Sequence, residues 1–189
     1  MQTDILAFKF LSTYFYDSKK RCVQVMQKRD LVDTVLAQWH KERPDIDPAP
    51  MAVMGRLIRT DAIFSKELHT VFSRFGLNGG EFDVLATLRR SGKPYTLTPN
   101  QLLQTLMLTS GSMTNRIDKL ENKGLVTRNP DPNDRRGVMV AITEQGLTLI
   151  DEVISEHVAK GEELLSPLAP EERAQLAGLL KKLLIHFNH

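Results

Sequence analysis

At 189 residues, with 41% hydrophobic side chains and a formal net charge of +2, the chain suits one globular domain or one compact core with helical extensions. That charge is too small to argue for nucleic acid by itself, and the single cysteine, Cys22, excludes an intrachain disulfide framework and a cysteine-rich zinc site. No apolar run approaches the ~20 residues needed to cross a bilayer, and no long apolar stretch near the start ends in a cleavage site. These features lead to the expectation of a soluble, non-exported, cytoplasmic protein with no membrane contact.

The distribution of charge says more than its sum. Residues 1–43 carry eight Lys/Arg against five Asp/Glu, and 112–137 carry six against four. From Glu144 onward eight acids face four bases. The middle of the chain can therefore face phosphate while the C-terminal helices face solvent or a partner.

In chain order, Ile5, Leu6, Phe8, Phe10, Leu11, Tyr14 and Phe15 form an aromatic patch too apolar for a disordered tail. Asp30 is a cap for a helix with Leu31, Val35, Leu36 and Trp39 on one side. Pro44, Pro48 and Pro50 predict a turn with extended entry and exit. Met51 to Phe75 is one long amphipathic helix, stopped by Gly76, and a further helix runs from about Gly79 to Arg90. Between Thr143 and Phe187 two more helices are expected, broken by Pro167 and Pro170. The domains that result are an N-terminal extension with an additional helix (1–49), a scaffold helix (50–75), a middle lobe (76–142) and C-terminal helices (143–189).

The middle segment carries the functional signal. Thr98 can cap a short helix with Pro99 in its first position, where a missing N–H costs nothing. Thr109 caps a second helix and leaves Ser110, Gly111 and Ser112 in its first turn, small enough to let free N–H groups approach a phosphate. At 100° per residue Met113, Ile117 and Leu120 share an apolar arc, with Ser112, Asn115, Lys119 and Asn122 broadly opposite. That division suits a helix packed on its own domain and seated in a major groove. Asn115 has the donor and acceptor to read an adenine edge, and Lys119 can meet a guanine or a phosphate. Arg116 falls on the flank, where it can reach a phosphate or turn inward to a carboxylate; periodicity does not choose.

Leu125, Val126 and Arg128 then predict one strand, and Val138, Val140 and Ile142 a second, with 129–137 as a turn-rich tip between them. Arg135 and Arg136 at that tip can enter a minor groove or grip its phosphates, and Asp134 suits a brace for one of them. Two short helices followed by a basic hairpin make a winged helix-turn-helix, so double-stranded DNA is the leading partner. The fold expected is mainly α with a small β wing. The flanking helices have more apolar surface than the middle unit can cover, which favours a two-fold homodimer over a folded-back monomer.

Chemistry finds no purchase. His40, His69, His157, His186 and His189 are scattered, with no HExxH, no GxSxG and no phosphate-cradling glycine loop. Neither an enzyme nor a metal or cofactor is expected. The competing reading is a non-DNA-binding dimerisation module, favoured if the wing's positive residues are buried or paired internally.

Gly76-Leu77, Glu81 to Arg90, Ser110 to Glu121, Gly124-Leu-Val126, Asp134-Arg-Arg136 and Ile142-Thr-Glu-Gln-Gly146 together resemble the MarR family of bacterial transcriptional regulators, over about 50–187. The resemblance implies a triangular homodimer joined by its first and last helices. It implies binding to pseudo-palindromic operators, mostly as a repressor, and release by a small aromatic or phenolic compound. A finer resemblance is to the urate-responsive, pectinase-regulator branch. It rests on an added N-terminal helix bearing Trp39, on the aspartate of Glu81-Phe-Asp83, and on the arginine of Thr114-Asn-Arg116. That branch implies a ligand contacted by Trp39, Asp83 and Arg116. A further asparagine of its pocket has no counterpart, Arg90 and Ser91 occupying that stretch.

Overall fold

The computed structural model describes residues 28–106, 110–132 and 134–187. The aromatic patch at 5–15, Cys22 and Thr109 lie outside the described residues. So do the side chains of Ser110, Arg135 and Arg136, whose backbones belong to a helix and a strand. The chain divides into two compact units, Met1–Ala62 and Ile63–His189.

In the first unit, α1 (Leu31–Glu42) begins at Asp30, where a capping box joins Asp30 and Asp33 side chains to each other's backbone N–H groups. The same carboxylates receive the guanidinium of Arg56 at 2.9 and 2.7 Å. Arg56 belongs to α2 (Ala49–Arg74). Gly55 lets α2 come close, since an added Cβ would stand 3.3 Å from Val32 Cγ1. Pro50 lies inside the first turn of α2 rather than in the preceding turn, because a proline there gives up only an N–H that has no intrahelical partner. Val32 is buried, whereas Leu31, Val35, Trp39, Met54 and Ile58 remain exposed.

The second unit is built around α3 (Gly79–Arg90). Gly76, at φ +68°, ends α2 in the left-handed conformation that glycine tolerates. Asn78 then starts α3 with a capping box to Glu81, both bonds 3.0 Å. Val84, Leu85 and Leu88 of α3 are fully buried, and so is Thr87, which helical position alone would set beside the buried arc. They pack with Leu102 of α4 (Pro99–Leu106), with Met113, Ile117 and Leu120 of α5 (Ser110–Asn122), and with Ile150 and Val153 of α6 (Glu144–Leu164). Phe72 stacks on Phe82, and the His157 ring of α6 stacks on Phe72 and lies tilted against Phe82.

Three antiparallel strands complete this unit, in the order β1 (Thr96–Leu97), β3 (Asp134–Ile142), β2 (Val126–Asp131). Thr96 pairs with Ala141, and Arg128 with Val140. The 129–137 stretch, expected as an open turn, is mostly paired strand: Asn129 faces Met139 and Pro130 faces Val138. Pro130 fits because β2 is an edge, where a missing N–H breaks no ladder. The final helix, α7 (Pro170–Phe187), buries no residue, and Leu179, Leu184 and Phe187 are more than half exposed. No described helix is long and apolar enough to cross a membrane. The fold is mainly helical with a small antiparallel wing, the winged helix-turn-helix expected from the sequence.

Candidate nucleic-acid interface

Two helices present the candidate interface. Thr98 caps α4 through a reciprocal pair: its Oγ1 accepts from the Gln101 N–H at 3.2 Å, and its own N–H donates to Gln101 Oε1 at 2.8 Å. α5 follows, and its apolar arc is where periodicity puts it, with Met113, Ile117 and Leu120 sealed in the core. Asn115, Lys119 and Asn122 are exposed on the other side, and Ser112, nearer the N-terminus, is half-buried. Buried apolar residues on one flank fix the helix, so the exposed polar ones stand on a rigid element. That is the condition for reading base edges.

Arg116 settles between the two options the periodicity left open. Its Nη1 donates to the Gly80 carbonyl at 3.5 Å and lies 3.7 Å from Asp83 Oδ2. The guanidinium has turned inward to the carboxylate. Gly80 makes room for it, since a Cβ there would stand 2.6 Å from Arg116 Cζ. Burial pushes the Asp83 carboxyl above its ordinary value, and the charges of Arg116, Arg90 and His157 only partly counter this. Asp83 and Arg116 are thus brought together within the second unit. Trp39 stands in α1 of the first unit and is exposed.

Sequence reasoning missed two ionic junctions behind the reading helix. Lys123, just past the end of α5, donates from Nζ to Glu81 Oε2 and to the Gly76 carbonyl, both at 2.8 Å. Glu81 is 1% exposed, and Lys123 gives this buried carboxylate, which also accepts from the Asn78 N–H, an opposite charge. The second junction joins wing to helix: Arg128 of β2 pairs with Asp118 and Glu121 of α5. Burial works against its charge, but the two carboxylates outweigh that and hold Arg128 charged. Two acids three apart on a helix, with an arginine in the next strand, were the available signal for it. Asp134 opens β3 opposite Asp131.

The wing hairpin is anchored at its base as well. Thr143 caps α6 by accepting from the Gly146 N–H at 3.0 Å and donates to the Gly124 carbonyl at 2.8 Å. Arg89 of α3 ties to Asp151 of α6 at 2.7 Å and lies over the Tyr95 ring.

A family model described as the MarR family matches residues 75–137, the stretch that holds the α3 core, α4, α5 and most of the wing. The HTH-type transcriptional regulator PecS of Dickeya dadantii (strain 3937) is 41% identical over 155 residues, which cover 82% of this chain and 93% of that protein. The chain belongs to the MarR family. Its members' solved structures agree: a mutant MarR from Escherichia coli, in complex with operator DNA, superposes with a TM-score of 0.63 at 30% identity, over 82% of this chain and 99% of that one. AbsC of Streptomyces coelicolor shares the fold, with a TM-score of 0.69 at 24% identity over 76% of this chain and 97% of its own. As a MarR-family protein the chain is a DNA-binding transcriptional regulator and not an enzyme.

Proposed function

We propose that this protein is a homodimeric repressor that binds a pseudo-palindromic operator and leaves it when a small aromatic or phenolic anion, urate among the candidates, binds. The observation that carries the DNA half is the α5 surface, where Asn115 and Lys119 are exposed on a helix locked into the core on its other side. Asn115 reads an adenine edge and Lys119 a guanine or a phosphate. Thr109, Ser110 and Ser112 receive a phosphate at the helix start. Arg135 and Arg136 hold the minor groove, braced by Asp134. The 143–189 helices carry dimerisation, supported by the apolar residues that α7 leaves exposed. The likeness to a MarR whose structure contains operator DNA supports the same reading.

The signalling half rests on Arg116 and Asp83. Arg116 stands on the reading helix, and its inward guanidinium is within reach of Asp83. An anion that competes for that guanidinium changes how α5 is held. Trp39 enters as a ligand residue on the sequence resemblance alone. The likeness to PecS along most of the chain supports assignment to that branch. Titration calorimetry with urate, salicylate and related aromatic acids, with and without operator, tests the switch. One of these acids is expected to bind more weakly when operator is present, and operator more weakly when the acid is present, by the same factor. Binding that leaves operator affinity unchanged overturns the switch. Equal affinity in wild type, Trp39→Ala and Arg116→Ala overturns the pocket.

A further inference from the structure

Asp118 is awkward on a DNA-reading helix. It lies three residues beyond Asn115 and one before Lys119, on the exposed side of α5, and its side chain is 51% exposed. Glu121, one turn further along, is 39% exposed. A bare carboxylate at the rim of a groove lined with phosphates is repelled, and the repulsion is strongest where protein and DNA exclude water. Both acids nonetheless meet one cation that comes from a different element. Arg128 of β2 places Nη2 against Asp118 Oδ1 and Nη1 against Glu121 Oε2, and its backbone N–H donates to Glu121 Oε1 at 3.2 Å. Arg128 pairs in register with Val140, which is fully buried, so the strand that carries it is fixed to the core.

We propose that Arg128 serves operator binding as a charge-compensating residue: it occupies the Asp118 and Glu121 carboxylates so that α5 can approach DNA, and does not itself grip a phosphate. This rests on the reading of α5 as the DNA-contacting helix. It also changes what an internally paired arginine in the wing means. Such pairing, taken alone, favours a module that does not bind DNA; here it removes negative charge from the reading face.

The test is a double-mutant cycle measured by fluorescence anisotropy on operator and on scrambled duplex over a salt series, with circular dichroism on each variant. Arg128→Gln is expected to weaken operator binding by about tenfold or more, because two carboxylates are left uncovered. Asp118→Asn with Glu121→Gln is expected to bind at least as tightly as wild type. Adding Arg128→Gln to that pair is expected to cost little, so the effects are strongly non-additive. If Arg128→Gln costs the same in both backgrounds and lowers the salt slope by about one, Arg128 grips a phosphate directly and the proposal is overturned. If the Asp118→Asn, Glu121→Gln pair alone weakens binding while folding normally, the three residues act as a mechanical clamp, which also overturns it; this arm does not depend on whether Arg128→Gln folds. Wild type that treats operator and scrambled duplex alike removes the reading of α5 itself, a result separate from either of these.

Discussion

Asn115 and Asp83 show two ways in which one side chain is committed by its position on a helix. Asn115 is exposed between Lys119 and the start of α5. Replacing it with Ala is expected to cost about 1–3 kcal/mol at the preferred base pair and to flatten the difference between operator and scrambled DNA, without altering the melting temperature. Equal losses on both sequences, measured by anisotropy, would contradict a base-reading role. Asp83 is half-exposed, and the part of it that is buried raises its carboxyl above the ordinary value despite the Arg116 charge. The folded chain therefore holds the Asp83 proton more tightly than the unfolded chain does. Stability falls as pH rises from the usual carboxylate value through the folded one, and the loss remains at neutral pH. Asp83→Asn is expected to melt above wild type at neutral pH, with the gap closing as pH drops below the ordinary aspartate range. A lower melting temperature for the variant at neutral pH would show that the Arg116 pair outweighs burial.

At the scale of elements, the wing is set by a contact that no side-chain pattern announces. Gly146, in the first turn of α6, touches the chain just after α5: an added Cβ would stand 2.2 Å from the Leu125 carbonyl oxygen and 2.9 Å from Ile142 Cγ1. Gly146→Ala is expected to destabilise the protein by about 1–3 kcal/mol in urea unfolding, since backbone rather than a flexible side-chain tip must move. A change within a few tenths would show that α6 can slide freely against the wing. The helices themselves were legible because amphipathic periods and caps are local: Asp30, Thr98 and Thr143 all cap where the sequence puts them. β1 was not, for two residues cannot display an alternation. The extent of the wing strands was not either, because Pro130 reads as a turn residue and only its pairing with Val138 across the hairpin makes it strand. At the site, the face of α5 followed from periodicity, whereas the inward turn of Arg116 and the junction at Lys123 depend on residues tens of positions away, and the junction at Arg128 on a strand meeting a helix. Tertiary proximity decided those, and sequence spacing carried little of it.

For the whole molecule, the folded lobe accounts for only part of the chain's apolar surface. The core of the second unit is closed, yet α7 buries no side chain, and in the first unit Leu31, Met54 and Ile58 are exposed. Apolar faces of that extent call for a covering surface, and the proposed homodimer would cover them symmetrically while supplying the second reading helix that the proposed pseudo-palindrome requires. The most direct measurement is analytical ultracentrifugation of the full chain with a labelled duplex from the region upstream of its own gene, beside a scrambled duplex of equal length. A dimer is expected in the absence of DNA. On the upstream duplex, one complex of two protomers is expected to form on the order of 10³-fold or more tighter than on the scrambled one at physiological salt. A monomer that binds both duplexes with equal affinity would contradict it.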